Sequence, residues 1–174
     1  MLSDYIEFNP REFLPKGTRA KKIAMERLMP FSRHILGYEN AEFNGGTKFR
    51  NGDVLLSRIT PCLENGKTAK VSILDRDEVG FGSTEYIVLR AKEGASDPDF
   101  IYYLAISPIF RDIAIKSMIG TTGRQRVQQG VLEKADFSIP DLPTQRVIGK
   151  ILSSIDDKIE LNTAINTNLE AVAA

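Results

Sequence analysis

The stretch 137-FSIPDLPTQRVIGKILSSIDDKIELNTAINTNLEAVAA-174 decides how the rest of the chain is read. The short apolar run Phe137-Ser138-Ile139 predicts a strand that stops at Pro140. Pro143 falls in the first turn of a long helical pattern, where its missing N–H leaves no helical bond unmade. Beyond it Ile148, Leu152, Ile155 and Ile159 recur at alternating steps of four and three, the period of a coiled-coil seam. The same register reaches Asn162 and Asn166 before an apolar residue returns at Leu169. A helix of roughly 30 residues runs about 45 Å, longer than a compact head of this size needs, and its apolar face requires a cover. The expectation is a globular head over residues 1–140 and a helical arm over 141–174 that pairs as a coiled coil. Its partner-facing residues are read as Ile148, Ile151, Leu152, Ile155, Ile159, Asn162 and Asn166. The two asparagines would set register at some cost in stability.

Upstream, short strands are marked out by turn residues. Tyr5 to Ala20 reads as a brief strand and then an extended segment broken by Pro10, Pro15 and Gly17. Asn44-Gly45-Gly46 and Asn51-Gly52 bracket Thr47–Arg50. Val54 to Ile59 is an uninterrupted apolar-rich strand ending before Pro61. Asn65-Gly66 then turns into Lys67–Leu74, which alternates as a half-exposed strand does. A further strand is expected over Glu85–Leu89. After Asp97-Pro98 the period becomes helical, with Ile101, Leu104 and Ala105 followed by Phe110, Ile113 and Ala114. Asp97 is placed to cap the first turn, and Pro108 divides the segment into two helices. Short strands and helices without regular βαβ alternation indicate an α+β head.

The composition excludes several function classes. Formal charge is zero, so there is no global pull toward nucleic acid or membrane. Residues 11–33 are nevertheless basic (Arg11, Lys16, Arg19, Lys21, Lys22, Arg27 and Arg33 against Glu12 and Glu26), and the arm is acidic at Asp156, Asp157, Glu160 and Glu170. A single cysteine, Cys62, allows no intramolecular disulfide and suits a reducing compartment. Neither a signal peptide nor a membrane-length apolar run is visible, so a cytoplasmic protein is expected. The one histidine, His34, has no partners at metal-ligand spacing, and no metal site is expected. Cys62 lacks a partner base, and Gly80-Phe81-Gly82 is not followed by the third glycine of a dinucleotide fingerprint. The residues do not spell a catalyst or a cofactor site.

Three loops could instead form a polar binding face. The first leaves the Val54 strand through Arg58 and Thr60 and runs to Lys67. The second holds Ser83, Thr84 and Glu85. The third, Gly120–Gln129, combines glycines, threonines, arginines and glutamines with no acid. Glycines let backbone N–H groups approach phosphates, while hydroxyls and Arg supply phosphate contacts. Arg can also hold guanine, and Gln adenine, in the major groove. An ordinary helix-to-strand connection would have the same composition, and both readings stand at this point.

With those residues in view the chain resembles the specificity (S) subunits of type I restriction–modification systems. The resemblance is carried by IEFNPRE (6–12), NGDVLLSRITPCLENGK (51–67), GFGSTEYIVLR (80–90), GTTGRQRV (120–127) and FSIPDLPTQRVIGKILSSIDDKIELN (137–162). It implies that the head is a target recognition domain reading one half of a bipartite duplex DNA site. The arm would then be a conserved spacer helix that docks the methyltransferase (M) subunit. That partner would hold S-adenosylmethionine and the restriction (R) subunit would use ATP, while the S chain itself binds no cofactor and catalyses nothing. Under this resemblance the DNA-binding residues are Arg58, Thr60, Lys67, Ser83, Thr84, Thr121, Thr122, Gly123, Arg124, Gln125 and Arg126. Arg58, Lys67, Arg124 and Arg126 are expected on phosphates; Gln125, Thr122 and Thr84 are the expected base readers. Family members carry two recognition domains and two helical regions, where this sequence has one of each. It therefore reads as a half-subunit or truncated form that pairs with a second half or with its own copy. The alternative is a half-subunit that occupies the M subunit as an interaction or regulatory module without binding DNA.

Overall fold

The computed structural model describes residues 1–173. Eight short strands form two sheets: β1 (Ile6–Phe8), β2 (Arg19–Ile23), β3 (Glu39–Glu42), β4 (Thr47–Phe49), β5 (Val54–Ser57), β6 (Thr68–Lys70), β7 (Gly80–Gly82) and β8 (Tyr86–Ala91). The first sheet has the order β1-β8-β5-β6 and is antiparallel throughout. The second has the order β3-β2-β7-β4, with β2 and β7 parallel. Four α-helices come after the strands: α1 (Pro98–Ile106), α2 (Pro108–Lys116), α3 (Gln129–Lys134) and α4 (Leu142–Ala173). The architecture is α+β with a long C-terminal helix.

β5 is the middle of the head and is buried along its whole length. Val54 and Leu56 face Ile101, Ala105 and Phe110 of the helices, together with Ile87 and Leu89 of β8. Leu55 points the other way and joins Val88 and Tyr86 against Ile23 and Phe49 of the second sheet. A strand covered on both faces reads as a continuous apolar run, which is what Val-Leu-Leu supplies. The helix breaks fall where the sequence places them. Asp97 accepts from the N–H groups of Asp99 and Phe100, and Ser107 accepts from Phe110 just before Pro108.

Two strand expectations change. Phe137–Ile139 is not a strand: the segment from Ala135 to Asp141 has no ladder partner. Its apolar residues pack instead on the helical core, Phe137 against Phe110 with ring centroids 6.2 Å apart. The Lys67–Leu74 strand shortens to Thr68–Lys70, because Leu74 turns away to bond the Asn51 side chain.

α4 opens with Asp141 accepting from the Thr144 N–H at 3.0 Å. Its first turns cross α1, and two residues fix the crossing. Gln145 is fully buried; its carbonyl accepts from the Asp97 N–H at 3.1 Å, and its amide donates to Ala95 O at 3.1 Å and Pro140 O at 2.9 Å. Gly149 lies where the helices touch, since a Cβ there would come within 2.9 Å of Asp97 Oδ1 and 3.1 Å of Phe100 N. The single seam drawn through Ile148 and Ile159 divides between faces. Ile148 packs against the head's core and Leu152 is half-buried, whereas Ile151, Ile155, Ile159, Asn162 and Asn166 are exposed. The physical reason is that the first turns of a helix leaving a head must cover the head. The exposed apolar line instead runs through Val147, Ile151, Ile155, Ile165 and Leu169.

Candidate nucleic-acid interface

The end of the first sheet where β5 leaves and β8 enters gathers all three polar loops. Arg58 continues β5 and donates its N–H to Glu85 O at 2.9 Å, joining loop one to loop two. Loop three returns beside loop one: Thr60 N donates to Gln125 O at 3.0 Å and Val127 N to Arg58 O at 2.8 Å. Ile119 and Arg126 exchange both backbone hydrogen bonds and close the tip, Gly120 to Gln125, as a hairpin-like excursion. Gly120 sits at φ +137°, where a Cβ would approach Arg124 O to 2.7 Å, so the closure depends on glycine.

The side chains divide into committed and free. Arg126 forks onto Glu85, with Nε 3.0 Å from both carboxylate oxygens and Nη2 2.6 Å from Oε1. This hydrogen-bonded guanidinium holds the Glu85 carboxyl below the usual carboxylate range. Lys67 donates to Met25 O at 3.0 Å, and the Ser83 hydroxyl accepts from the Glu85 N–H at 3.1 Å. Arg58 reaches Val127 O only at 3.5 Å, and its Nε is buried without a partner. The Thr60 hydroxyl nearby is likewise unpartnered. Thr84, Thr121, Thr122, Gly123 and Arg124 are exposed, and Gln125 is half-buried. Among the described residues the Arg124 side chain has no hydrogen-bond or ion-pair partner. Its guanidinium and the neighbouring hydroxyls can donate to phosphate oxygens or to base edges.

Sequence reading missed Arg111, which braces loop one by donating to Leu63 O at 3.0 Å and Glu64 O at 3.1 Å while lying 4.9 Å over the Phe31 ring. No periodicity or motif marks it, since it is one charged residue on the polar side of α2. A second cluster ties the arm to the head. Tyr103 donates to Asp156 at 2.7 Å, Arg33 pairs with Asp157, and His34 contacts Glu160. Burial first, and the Asp156 carboxylate second, push the Tyr103 phenol up to about 12. His34 thus meets a carboxylate of the arm, not a metal-ligand set; among the described residues no cluster of metal-binding side chains is found. Among the described residues no helix is long and apolar enough to cross a membrane.

Residues 15–171 match the family model for the type I restriction modification DNA specificity domain. The chain is 33% identical over 130 residues to the EcoAI type I restriction enzyme specificity subunit of Escherichia coli, covering 73% of this chain and 22% of that one. It is 36% identical over 129 residues to the HindI specificity subunit of Haemophilus influenzae, covering 71% and 26%. The chain thus spans about a quarter of the length of these relatives. Among solved structures it resembles the HsdS subunit from Thermoanaerobacter tengcongensis with a TM-score of 0.67 at 18% identity, over 86% of this chain and 39% of that one. A chain from a structure describing complex assembly and conformational transition of the type I R-M system aligns with a TM-score of 0.66 at 17% identity, over 92% and 44%. At those identities the likeness is one of fold.

Proposed function

The chain belongs to the type I restriction modification DNA specificity domain family, and from that membership we propose that its head reads one half of a bipartite duplex DNA site. The observation that carries this reading is the meeting of three polar loops at one end of the first sheet, with Arg124 and the Thr84, Thr121 and Thr122 hydroxyls facing solvent. Arg124 is the leading DNA contact, and Arg58 and Thr60 rank behind it because Arg58 Nε and the Thr60 hydroxyl, though unpartnered, are buried. Lys67 and Arg126 are committed within the head and rank below them.

Residues 1–140 act as the recognition domain and 141–174 as the spacer arm. The exposed line Val147, Ile151, Ile155, Ile165 and Leu169 is the pairing face, interrupted by Lys158 and Asn162. Polar residues within such a line set register. It takes a second copy or a second half-subunit, and two copies related by a twofold axis would read an inverted repeat. The arm also docks the M subunit, through which the R subunit joins. S-adenosylmethionine and ATP belong to those partners; this chain is non-catalytic and works in the cytoplasm.

The reading is tested by exposing the chain, with its M subunit, to a pool of randomised DNA duplexes and sequencing the retained fraction. Enrichment of a short defined motif is the expected result. Retention of M with no motif enriched favours the alternative, a half-subunit that occupies M without reading DNA.

A further inference from the structure

Glu85 is bonded to all three loops at once, although its charge is the wrong sign for a DNA face. Its carbonyl accepts from the Arg58 N–H of loop one at 2.9 Å. Its own N–H is held by the Ser83 hydroxyl of loop two at 3.1 Å. Its carboxylate receives the Arg126 fork from loop three at 2.6 and 3.0 Å. Arg126 in turn is fixed through its backbone to Ile119, on the other side of the exposed tip. We infer that Glu85 and Arg126 are a positioning pair for DNA recognition: the fork locks the Gly120–Gln125 tip in one register beside Arg58 and Thr60, so that Arg124 is presented in a fixed place.

The chemistry separates this from a phosphate-contact role. A bidentate Arg–carboxylate pair fixes angle as well as distance. A guanidinium already neutralised by a carboxylate releases little counterion when DNA approaches, so it contributes little to the salt dependence of binding. Were Arg126 a phosphate contact, Glu85 would be an obstacle to it, and removing the acid would tighten binding to every sequence alike. As a positioning pair, removing the acid loosens the tip and costs discrimination. Non-specific attraction does not fall, because a negative charge has left the face. The tip is joined to the rest of the head by few backbone bonds, so loss of the fork leaves the folded core in place.

This inference rests on the DNA-reading role of the head, and the test keeps the two separable. The full chain, Glu85→Gln, Arg126→Gln and the double variant are each measured against the duplex enriched from the randomised pool and against a scrambled duplex. Each single change is expected to lower the preference for the enriched duplex by about tenfold, a coupling usual within one ion-pair network. The double variant should fall no further than either single. The salt slope of the double variant, which removes a neutral pair, should stay at that of the unaltered chain. Amide exchange of Thr60, Ile119, Arg126 and Val127 should quicken in both single variants, a readout that needs no DNA. The inference is overturned if Glu85→Gln strengthens binding to both duplexes equally. It is also overturned if Arg126→Gln lowers the salt slope by about one with preference intact, or if the four amides exchange as before. Absence of any sequence preference in the unaltered chain overturns the functional reading itself, while the amide measurement still decides whether the pair orders the tip.

Discussion

Replacing Gln145 should unfold the joint between head and arm at a cost out of proportion to one polar side chain. Gln145 is fully buried and satisfies three backbone groups: the Asp97 N–H that precedes α1, Ala95 O, and Pro140 O at the start of the arm. A buried backbone group left without a partner costs about 1–3 kcal/mol. The three groups here belong to half-buried residues, and with part of the cost relieved by water or relaxation they give a loss of about 3 kcal/mol for Gln145→Leu. Leucine is chosen because its similar volume keeps the site filled, so the loss reports hydrogen bonds and not a cavity. The assay is urea unfolding of the full chain monitored by circular dichroism, reading the midpoint at constant slope. Gln145→Glu should be at least as damaging, since it points a carboxylate oxygen at two carbonyls. A loss below about 0.5 kcal/mol for Gln145→Leu, within the range of ordinary surface changes, would refute the claim that this residue anchors the arm.

Arg124→Ala should weaken binding to the enriched duplex by roughly 1–3 kcal/mol in competition assays and relax one position of the motif if it holds a base edge. A uniform loss with a flatter salt dependence would instead place it on a phosphate. Changing Ile151 and Ile155 together to Glu should leave the chain folded, since both are exposed, but convert any dimer seen by light scattering to monomer. The buried Glu12 carboxylate meets Arg50 Nε and Arg90 Nη1, each at 2.8 Å. Burial alone would raise its pKa, and the two guanidiniums outweigh it, holding the folded value below the ordinary 4.5. Its stabilisation is therefore present above pH 4.5 and lost as pH falls through the lower folded value. Glu12→Gln should flatten the acid limb of a plot of urea midpoint against pH.

The fold was legible where local chemistry decides structure. The Asp97-Pro98 and Ser107-Pro108 boundaries each combine a cap with a proline that tolerates the first turn, and both helices begin there. β5 was legible because its short apolar run is bounded by the Asn51-Gly52 turn before it and Pro61 after it, too little room for a helix. Phe137–Ile139 misled because apolar alternation records burial, not pairing: its apolar residues pack on the helical core without joining a ladder. The arm's heptad register misled in part for a similar reason: Ile148 and Ile155 are indistinguishable in sequence, and only the position of α1 decides which is covered. At the candidate site, loop composition singled out three loops that meet at one end of the first sheet, but not the commitments within them. Arg124 and Arg126 stand two residues apart with the same chemistry, and one is spent on Glu85, which is distant in sequence from both.

The most direct measurement is the pattern of methylated adenines when this chain and the M subunit proposed to bind it are expressed together in cells that otherwise lack adenine methylation. A head that reads half of a bipartite site predicts methylation confined to one bipartite motif, its two halves an inverted repeat across a spacer of fixed length if the chain pairs with itself. A formed complex that methylates adenines without regard to surrounding sequence, or that leaves every adenine unmodified, would contradict it.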